Sequence, residues 1–444
     1  MSEEMPGGKR KRRPDSSDLP PAMSEMIFWL EENEVDLSNL SIRTSKECGG
    51  IGVFTKSTAS VDAMVVRIPQ RLVLSIEKVR TSLVGQAVLK TAARLGVQVS
   101  GEVLLKLFMI VGRSSSENFW NRYLTSIPPV FSSPLHWPEE VVERELGGTN
   151  LKGEVDVKRR DLREKYDALA PHLLQEFPEL FEDVLSFDSF MWAHSAYSSR
   201  SFPPQLVEGR DNEAKDGGDT IGCMLPLLDI LNHKYKTPIT WVADRESVGM
   251  RVGAEVDAGC EIFNNYGPKG NEELLYSYGF CLVDNPADIV AVRYACVEQD
   301  VETANSKLEL LQSQDVPVDI MSDNPCGLHC GPFLLTRDAL PGLLLLTFRI
   351  CLCGHLDPTF ENTRAALRQL RSLLKDKLRA MGEAKKLRDL LPPGQKTAIE
   401  RDSANYRKGQ KRVLEASVQF VKDGLERLEV QHKEDLLKAK SLAH

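Results

Sequence analysis

The chain has 444 residues, of which 42% are hydrophobic and 27% are charged, and its formal net charge is −8. This composition is typical of a globular protein with enough residues for two or three domains, and the negative charge gives no general attraction for nucleic acid. The longest apolar run, near Leu340 to Phe348, is far shorter than the ~20 residues that cross a bilayer, so we expect no membrane partner.

Cysteine usage and the N-terminal residues indicate a cellular compartment. The N-terminus has no apolar segment of the kind found in a secretory signal. The nine cysteines are scattered rather than arranged as a disulfide framework, which is typical of free thiols in a reducing compartment. The sequence therefore predicts a cytoplasmic or nuclear protein, with a monomer as the default oligomeric state.

The first elements in chain order are a tail and a helix. Residues 1–22 are polar and proline-rich, which predicts a disordered basic tail. Its run KRKRR, from Lys9 to Arg13, fits either a nuclear-import signal or a solvated tail. Residues Met23 to Asn33 predict a short amphipathic helix. The side chains expected on its buried face are Ile27, Phe28 and Leu30.

Three short strands follow, and a glycine-rich turn precedes the second of them. The strands are predicted at Leu40–Ile42, Gly52–Thr55 and Met64–Pro69. The segment GGIGVF, from Gly49 to Phe54, lets the backbone approach a neighbour or a ligand, because glycine has no Cβ. By itself this cluster is more typical of a turn between strands. No helix follows it, so it is not a dinucleotide fingerprint.

The middle of the chain is predicted to be helical. From about residue 82 to residue 198, apolar residues recur at helical spacing, and this block interrupts a pattern that favours strands on both sides. The charged, glycine-rich segment 209–219 predicts a surface loop. The segment between DILNH (Asp229 to His233) and NNYGPKGNEELLYSYGF then reads as strands joined by tight turns.

After Arg293 the pattern becomes helical again. The predicted helices are Val301–Leu311, Leu340–Cys353, Phe360–Leu390 and Asp402–Lys438. In the last of them a narrow apolar stripe covers too few heptads for a coiled coil, so we expect it to pack on its own domain. The residues of that stripe are Leu414, Val418, Val421, Leu425 and Leu428.

Four motifs, taken together, point to one family. GGIGVF, SRSF (Ser199 to Phe202), DILNH and YGPKGNEELLYSYGF occur in this order. The combination resembles SET-domain methyltransferases, specifically the subfamily typified by the Rubisco large-subunit lysine methyltransferase, over roughly residues 35–430. The resemblance implies an α+β protein with a SET fold of short β-sheets, a large helical insertion, and a C-terminal all-helical substrate-binding domain. The implied boundaries are 23–294 for the SET domain, with its insert at about 82–198, and 295–444 for the C-terminal domain.

The same resemblance implies a binding site for S-adenosylmethionine. Tyr266 corresponds to the catalytic tyrosine of the family. The residues implied in cofactor binding are Gly49, Gly50, Ile51, Arg200, Asn232, His233 and Tyr266. The residues implied beside the substrate are Asp229, Trp241 and Tyr278. The family has an acidic residue where this chain has Gly49, which puts a side-chain contact there in doubt and leaves the backbone contacts possible.

Two cysteine–histidine groups could form a zinc site. They are CGLHC, with Cys326, His329 and Cys330, and CLCGH, with Cys351, Cys353 and His355. Together they hold enough ligands for tetrahedral zinc, but their spacing matches no standard zinc motif. Buried free cysteines are common in protein cores, so we expect no metal.

The resemblance implies methyl transfer to a lysine of a non-histone protein, such as a ribosomal protein or a translation factor. A second enzymatic interpretation is protein-histidine methylation, which a relative with the same fold performs. A third interpretation, from another class, is a SET-like module that binds a partner protein without catalysis. The presence of Arg200, Asn232, His233 and Tyr266 argues against that third interpretation.

Overall fold

The computed structural model describes residues 19–207, 221–356, 358–382 and 393–442. Within these ranges the chain forms two compact units. The first comprises the described residues of Met1–Phe131 and Leu162–Pro268, and the second those of Ser132–Asp161 and Lys269–His444. The units divide the chain by packing, so the domain boundaries at residues 294 and 295 stay a prediction. The predicted disordered tail falls largely on residues 1–18, and the predicted loop 209–219 falls within 208–220; both lie outside the described residues.

The helices and strands are numbered in chain order. The strands are β1 (Leu40–Thr44), β2 (Ile51–Thr55), β3 (Met64–Pro69), β4 (Ser201–Phe202), β5 (Cys223–Met224), β6 (Ile239–Ala243), β7 (Ser247–Val252), β8 (Val290–Val297), β9 (Val318–Met321) and β10 (Asn324–Leu335). The helices are α1 (Pro21–Glu32), α2 (Ile76–Thr81), α3 (Leu83–Leu95), α4 (Gly101–Ser114), α5 (Asn121–Ser126), α6 (Glu139–Leu146), α7 (Asn150–Glu176), α8 (Pro178–Phe181), α9 (Phe187–Arg200), α10 (Asn271–Glu273), α11 (Val301–Gln312), α12 (Gly342–Cys353), α13 (Phe360–Met381) and α14 (Pro393–Leu442).

Small antiparallel sheets form the β part of the first unit. β1 and β2 make a hairpin, β4 pairs with β5, and a three-stranded sheet has the order β3-β7-β6. The three strands predicted near the N-terminus are confirmed as β1, β2 and β3. The segment from residue 82 to residue 198 is mainly helical, as predicted. The α+β class with a helical insertion is therefore confirmed.

Serine side chains mark where the helices of the first unit begin. The hydroxyl of Ser82 accepts a hydrogen bond from the backbone N–H of Gly85 at the start of α3, at 3.0 Å. Ser186 and Ser189 form a reciprocal capping box at the start of α9. Such caps satisfy backbone N–H groups that have no partner inside the helix. At its other end α9 stops at Arg200, because Ser201 enters β4 in an extended conformation.

The first helix shows how the prediction of an inward face failed. Phe28 is 52% exposed and Ile27 is half-buried, so the predicted buried face was wrong for Phe28. The buried side chains are Met23, Met26, Trp29 and Leu30. This stripe faces α5, where the Ser126 hydroxyl donates to the Met26 sulfur at 2.9 Å. Two faces of α1 are apolar, and only packing selects between them.

The second unit contains a sheet beside its helices. The helices predicted after Arg293 are present, as α11 to α14. β8, β10 and β9 form an antiparallel sheet in that order, so the C-terminal region is helical but was wrongly predicted to be all-helical. The strand signal of β10 is masked by its cysteines, glycines and proline, and a bulge between Cys330 and Phe333 interrupts its alternation. The end of the predicted helix Phe360–Leu390 beyond Gly382 lies outside the described residues.

The apolar stripe of α14 packs onto its own unit, as predicted. Leu414 and Val421 belong to the core of the second unit, and Val418, Leu425 and Leu428 pack against it. Cys330 and Cys351 are buried in the same core. Within the described ranges, no cluster of three or more histidine, cysteine or acidic side chains is suited to a metal ion. No described helix has the length and apolarity required to cross a membrane.

Candidate functional site

The turn between β1 and β2 is the first part of the site. Gly49 has φ +74°, a left-handed conformation that glycine adopts without strain. The N–H of Ser45 donates to the carbonyl of Gly50 at 2.6 Å, and the N–H of Gly49 donates to the carbonyl of Ser45 at 3.0 Å. These bonds fix the backbone of Gly49, Gly50 and Ile51. Because the glycines lack side chains, this backbone is exposed to a ligand.

Glu261 joins this turn to the DILNH segment. One oxygen of its carboxylate, Oε2, accepts a hydrogen bond from the Ser45 hydroxyl at 2.6 Å. The other, Oε1, accepts from the side-chain amide of Asn232 at 2.7 Å, and the same amide donates to the Ile51 carbonyl at 3.1 Å. A Cβ on Gly52 would lie 2.2 Å from Oε1 of Glu261, so any larger residue there would displace the Glu261 carboxylate from this position. Glu261 was not predicted, because only tertiary contact brings it to the turn.

Asp229 and Arg200 form a buried ion pair. Asp229 follows Leu227, whose φ of +74° is rare for a residue with a side chain, and it lies on the 3₁₀ turn Leu228–Ile230. Nη1 of Arg200 lies 3.0 Å from Oδ2 of Asp229 and 3.2 Å from its backbone carbonyl. The Asp229 side chain has no exposed surface, whereas that of Arg200 is 20% exposed. The guanidinium therefore retains donors that can reach a ligand.

Tyr123, which the sequence did not single out, completes this network. Its hydroxyl donates to Oδ2 of Asp229 at 3.0 Å. Burial raises the pKa of the Asp229 carboxyl above its usual range, while Arg200 and the Tyr123 hydroxyl act in the opposite direction. The second oxygen, Oδ1, is buried and accepts no hydrogen bond from any residue that the structure describes. A buried carboxylate oxygen without a donor is costly, so it suits a ligand that brings one.

Tyr266 is held by two contacts with the DILNH segment. Its hydroxyl donates to the Leu231 carbonyl at 2.9 Å, and its backbone N–H donates to Nδ1 of His233 at 3.0 Å. Its ring stacks on the His233 ring with centroids 4.9 Å apart. Because Nδ1 of His233 accepts a backbone N–H, it carries no proton and cannot donate one. The ring is thereby fixed as a support for Tyr266.

The two segments that carry these residues run side by side. The N–H of Asn264 donates to the Asn232 carbonyl at 2.8 Å, and the N–H of Lys234 donates to the Asn264 carbonyl at 2.9 Å. These are the bonds of an isolated parallel bridge between His233 and Asn264. Parallel pairing of segments about thirty residues apart in sequence brings Tyr266 back onto Leu231 and His233. The structure therefore brings together the predicted residues from both motifs.

The two predicted aromatic wall residues are placed differently. Trp241 lies on β6 and packs edge-on against Phe202, with centroids 5.2 Å apart. Phe202 is the second residue after Arg200, so Trp241 lies on the same unit as the ion pair. Tyr278 ends the π-helical turn Leu274–Tyr278 and belongs to the second unit. The role of both residues at the substrate stays a prediction.

A cleft of about 690 Å³ lies beside the β1–β2 hairpin. Its walls include Arg43 and Phe54 from the hairpin, Lys234 and Phe263 from the paired segments, and Glu261. The Arg43 guanidinium lies 3.7 Å from the centroid of the Phe54 ring. The cleft therefore borders the bridge that Glu261 makes, and its lining does not include the Arg200–Asp229 pair.

Comparisons with known proteins found similar sequences and similar structures. No family model matches the chain. It is 35% identical over 198 residues to "Ribosomal lysine N-methyltransferase set10" of Schizosaccharomyces pombe, which covers 44% of this chain and 34% of that protein. It is 28% identical over 227 residues to "Ribosomal lysine N-methyltransferase 1" of Saccharomyces cerevisiae, covering 44% and 37%. It is 24% identical over 301 residues to "Actin-histidine N-methyltransferase" of Gallus gallus, covering 66% and 48%. The matches thus span between a third and a half of the length of these relatives.

The fold of the chain is similar to that of solved structures over most of its length. The SET domain of LSMT bound to lysine and AdoHcy has a TM-score of 0.72 at 19% identity, covering 94% of this chain and 93% of that one. Rubisco LSMT bound to AdoMet has a TM-score of 0.71 at 19% identity, covering 92% and 93%. Likeness at this level of identity establishes the fold. The chain therefore has the fold of the SET domain of Rubisco LSMT.

Proposed function

We propose that the chain is an S-adenosylmethionine-dependent protein-lysine N-methyltransferase that acts on a non-histone protein. The observation that carries the proposal is the fixed position of Tyr266. Its hydroxyl and backbone are both bonded to the DILNH segment, within a SET fold, on the unit that also holds the Arg200–Asp229 pair. The relatives named as ribosomal lysine N-methyltransferases support lysine as the acceptor.

The residues present fit the amino-acid end of S-adenosylmethionine. That end carries a carboxylate and an ammonium group. Arg200 is partly exposed and offers planar donors to a carboxylate, and Oδ1 of Asp229 is a buried acceptor with no described donor. The backbone of Gly49, Gly50 and Ile51 offers polar groups that no side chain covers. We propose that these residues and the Asn232–His233 segment hold the cofactor.

The methyl group must reach a neutral amine. When bound, S-adenosylmethionine would supply a methyl group on a positively charged sulfonium. A neutral amine nitrogen would form a bond to this methyl carbon as the carbon–sulfur bond breaks, with neutral S-adenosylhomocysteine as the leaving group. A free lysine has a pKa near 10.4, so neutralising it at pH 7 costs about 4.6 kcal/mol at ~1.36 kcal/mol per pKa unit. A channel that excludes water lowers this cost, because burial disfavours the charged amine.

Tyr266 orients the amine in this proposal. Its O–H is engaged by the Leu231 carbonyl, which leaves the oxygen lone pairs as acceptors for an amine N–H. An amine that donates an N–H to the phenol oxygen has its own nitrogen lone pair directed away from that oxygen. His233 acts by positioning Tyr266 rather than by removing a proton, since its Nδ1 is already an acceptor of the Tyr266 N–H. Trp241 and Tyr278 are proposed to contact the substrate side chain. Asp229, which the resemblance also implied beside the substrate, is proposed to act at the cofactor instead, because it pairs with Arg200.

The names of the two yeast relatives also suggest a substrate protein. We propose a ribosomal protein or a translation factor as the acceptor, in line with the names of the two yeast relatives. The helices α11 to α14 of the second unit are the proposed surface for this protein. The free cysteines favour a cytoplasmic or nuclear location, and we propose a monomer that binds neither nucleic acid nor membrane.

A second candidate is protein-histidine methylation. It is favoured by the relatives named as actin-histidine N-methyltransferases, whose matches cover 66% of this chain. An imidazole is largely neutral at pH 7, so its nitrogen needs less desolvation than a lysine amine. Mass spectrometry of a labelled peptide separates the two candidates, because the added methyl group is found on a lysine in one case and on a histidine in the other.

The test is methyl transfer from radiolabelled S-adenosylmethionine into a cell extract by the full chain. Wild type is compared with Tyr266→Phe and with Tyr166→Phe, a control phenol whose hydroxyl contacts the Leu185 carbonyl at 3.5 Å. We expect a labelled protein band with wild type and with the control, and none with Tyr266→Phe, whose cofactor affinity stays within a few-fold. Normal turnover by Tyr266→Phe contradicts the assignment of Tyr266. Absence of cofactor binding by wild type supports the binding-module interpretation instead.

A further inference from the structure

Tyr123 lies outside the residues that the family resemblance assigns to the site. It belongs to α5 in the helical insertion and is 1% exposed. Its hydroxyl donates to Oδ2 of Asp229 at 3.0 Å, the same oxygen that lies 3.0 Å from Nη1 of Arg200. One carboxylate oxygen therefore receives a phenol and a guanidinium from two different helices.

This arrangement fixes the orientation of the carboxylate. A carboxylate that accepts from a guanidinium alone can rotate about its Cβ–Cγ bond and exchange its two oxygens. The Tyr123 ring is enclosed by the fold, so its hydroxyl is a donor at one fixed point and selects Oδ2. Burial and the charge of Asp229 raise the pKa of Tyr123 well above its usual range, so the phenol stays protonated. Oδ1 is then the oxygen left for another donor.

We propose that Tyr123 is a positioning residue of the cofactor site. Its hydroxyl holds the Asp229 carboxylate, and through it the Arg200 guanidinium, in the orientation that receives the amino-acid end of the cofactor. This inference rests on the proposed function, because it assumes that Arg200 and Asp229 bind that end. It connects the helical insertion to the site, since α5 supplies a contact that the β-strands do not.

A purely structural role for Tyr123 predicts different results from a positioning role. A buried hydroxyl needs a hydrogen-bond partner in any case, so its loss lowers stability under both interpretations. If Tyr123 also has a positioning role, loss of its hydroxyl lowers cofactor affinity as well, and it does so only while Asp229 carries its charge. A double variant and a pH profile therefore separate the two roles.

The experiment measures the affinity of the full chain for S-adenosylmethionine and S-adenosylhomocysteine by calorimetry. Tyr123→Phe keeps the ring and removes the hydroxyl, and we expect about a tenfold weaker affinity from the loss of a hydrogen bond to a charged group. Because the Tyr123 hydroxyl lowers the pKa of Asp229, the acidic decline in affinity should begin at a higher pH in Tyr123→Phe. Tyr166→Phe is the matched control, and we expect its affinity within about twofold of wild type.

The coupling test uses Asp229→Asn with and without Tyr123→Phe. If Tyr123 acts through the carboxylate, adding Tyr123→Phe to Asp229→Asn should change affinity by less than about twofold. A further tenfold loss in the double variant overturns the positioning role, as does an unchanged affinity and pH profile in Tyr123→Phe alone. If wild type binds neither ligand, the proposed function fails and this inference fails with it. If wild type binds and Tyr123→Phe is indistinguishable from it, only this inference fails.

Discussion

The side-chain amide of Asn232 donates a hydrogen bond of 2.7 Å to Glu261, and the other oxygen of that carboxylate accepts from Ser45 at 2.6 Å. One acidic side chain thus connects the DILNH segment to the turn between β1 and β2. Both of these segments are proposed to hold the cofactor. The position of one relative to the other depends on Glu261, although this residue belongs to neither motif.

Replacing Glu261 with glutamine tests this bridge. Glu261→Gln keeps the shape of the side chain but removes its charge, so neither hydrogen bond remains charge-assisted. Its NH₂ group would also oppose the Asn232 amide or require the Ser45 hydroxyl to accept instead of donate. We expect about tenfold weaker binding of S-adenosylhomocysteine by calorimetry, in line with the loss of one charge-assisted hydrogen bond. Glu255→Gln, an exposed glutamate of the neighbouring cleft, is the control. Equal affinities of the two variants would show that the bridge does not matter for binding.

A second prediction concerns the glycine beneath the bridge. Alanine at Gly52 would place its Cβ 2.2 Å from Oε1 of Glu261 and 3.1 Å from Nδ2 of Asn232, so the Glu261 side chain must move away from its partners. We expect Gly52→Ala to lower the free energy of unfolding by about 2 kcal/mol, as for overpacking at a tight contact. A Cβ on Gly50 would meet no atom within 4 Å, so Gly50→Ala should change stability by less than about 0.5 kcal/mol. Urea denaturation measures both variants, and similar losses would contradict the steric argument.

The buried lysine of α4 leads to a prediction of pH dependence. Lys106 is 2% exposed and pairs with Glu102 one turn earlier, whose Oε1 also lies 3.6 Å from Nδ1 of His194. His194 and Lys106 hold the pKa of Glu102 well below its usual range, although burial acts in the opposite direction. A carboxylate whose pKa is lower in the folded state stabilises the fold above its unfolded pKa. That stabilisation is lost as the pH falls through the lower, folded value.

Glu102→Gln should therefore destabilise the fold more at neutral pH than at acidic pH. Because the carboxylate is 38% exposed, solvent screening reduces the cost of breaking the pair to about 2 kcal/mol at pH 7. The difference between the free energies of unfolding of wild type and Glu102→Gln should become smaller as the pH falls below about 4.5. Urea denaturation at pH 7 and pH 4 measures it, with the exposed Glu117→Gln as a control. A difference that stays constant between the two pH values would contradict the assignment of the charge.

The second unit offers a prediction at Tyr406. This tyrosine of α14 is fully buried, and its hydroxyl donates to Oε2 of Glu272 at 2.6 Å. Burial raises the pKa of Glu272, and the Tyr406 hydroxyl opposes that rise. Tyr406→Phe should lower the free energy of unfolding by about 1.5–3 kcal/mol, the range for a hydrogen bond to a charged group.

The sign of the pH dependence follows from the same contact. The hydroxyl stabilises the ionised carboxylate, so the deficit of Tyr406→Phe should be larger at pH 8, where more of Glu272 is ionised, than at pH 5. Guanidinium denaturation at the two pH values is the measurement. Tyr294→Phe is the control, because its hydroxyl accepts a bond from Gln369 at the surface. A deficit that shrinks from pH 5 to pH 8 would refute the assignment.

Local signals in the sequence were sufficient for several elements. The alternation in β1, β2 and β3 and the helical spacing between residues 82 and 198 both lie within short stretches of chain. The apolar stripe of α14 was also predicted to pack on its own unit, because too few heptads repeat to form a coiled coil. β10 was missed because its composition favours turns, and its strand character comes from pairing with β8 and β9.

The residues of the candidate site also fall into two groups, those that motifs identified and those that only the structure revealed. Tyr266, Arg200 and the Asn232–His233 pair are part of motifs whose order along the chain is sufficient to indicate a SET fold. Glu261 and Tyr123 could not be identified in this way, because neither belongs to a motif and each acts through a contact with a residue distant in sequence.

The sequence by itself indicated the helices and strands whose periodicity is local, and its resemblance to SET-domain methyltransferases indicated the fold type and the residues that carry the motifs. Only the tertiary structure decided which face of α1 is buried, that a sheet lies beside the C-terminal helices, and which side chains hold Asp229 and Asn232. The physical reason is that burial and hydrogen bonding between distant residues depend on how the elements pack, and several packings are compatible with the same local pattern.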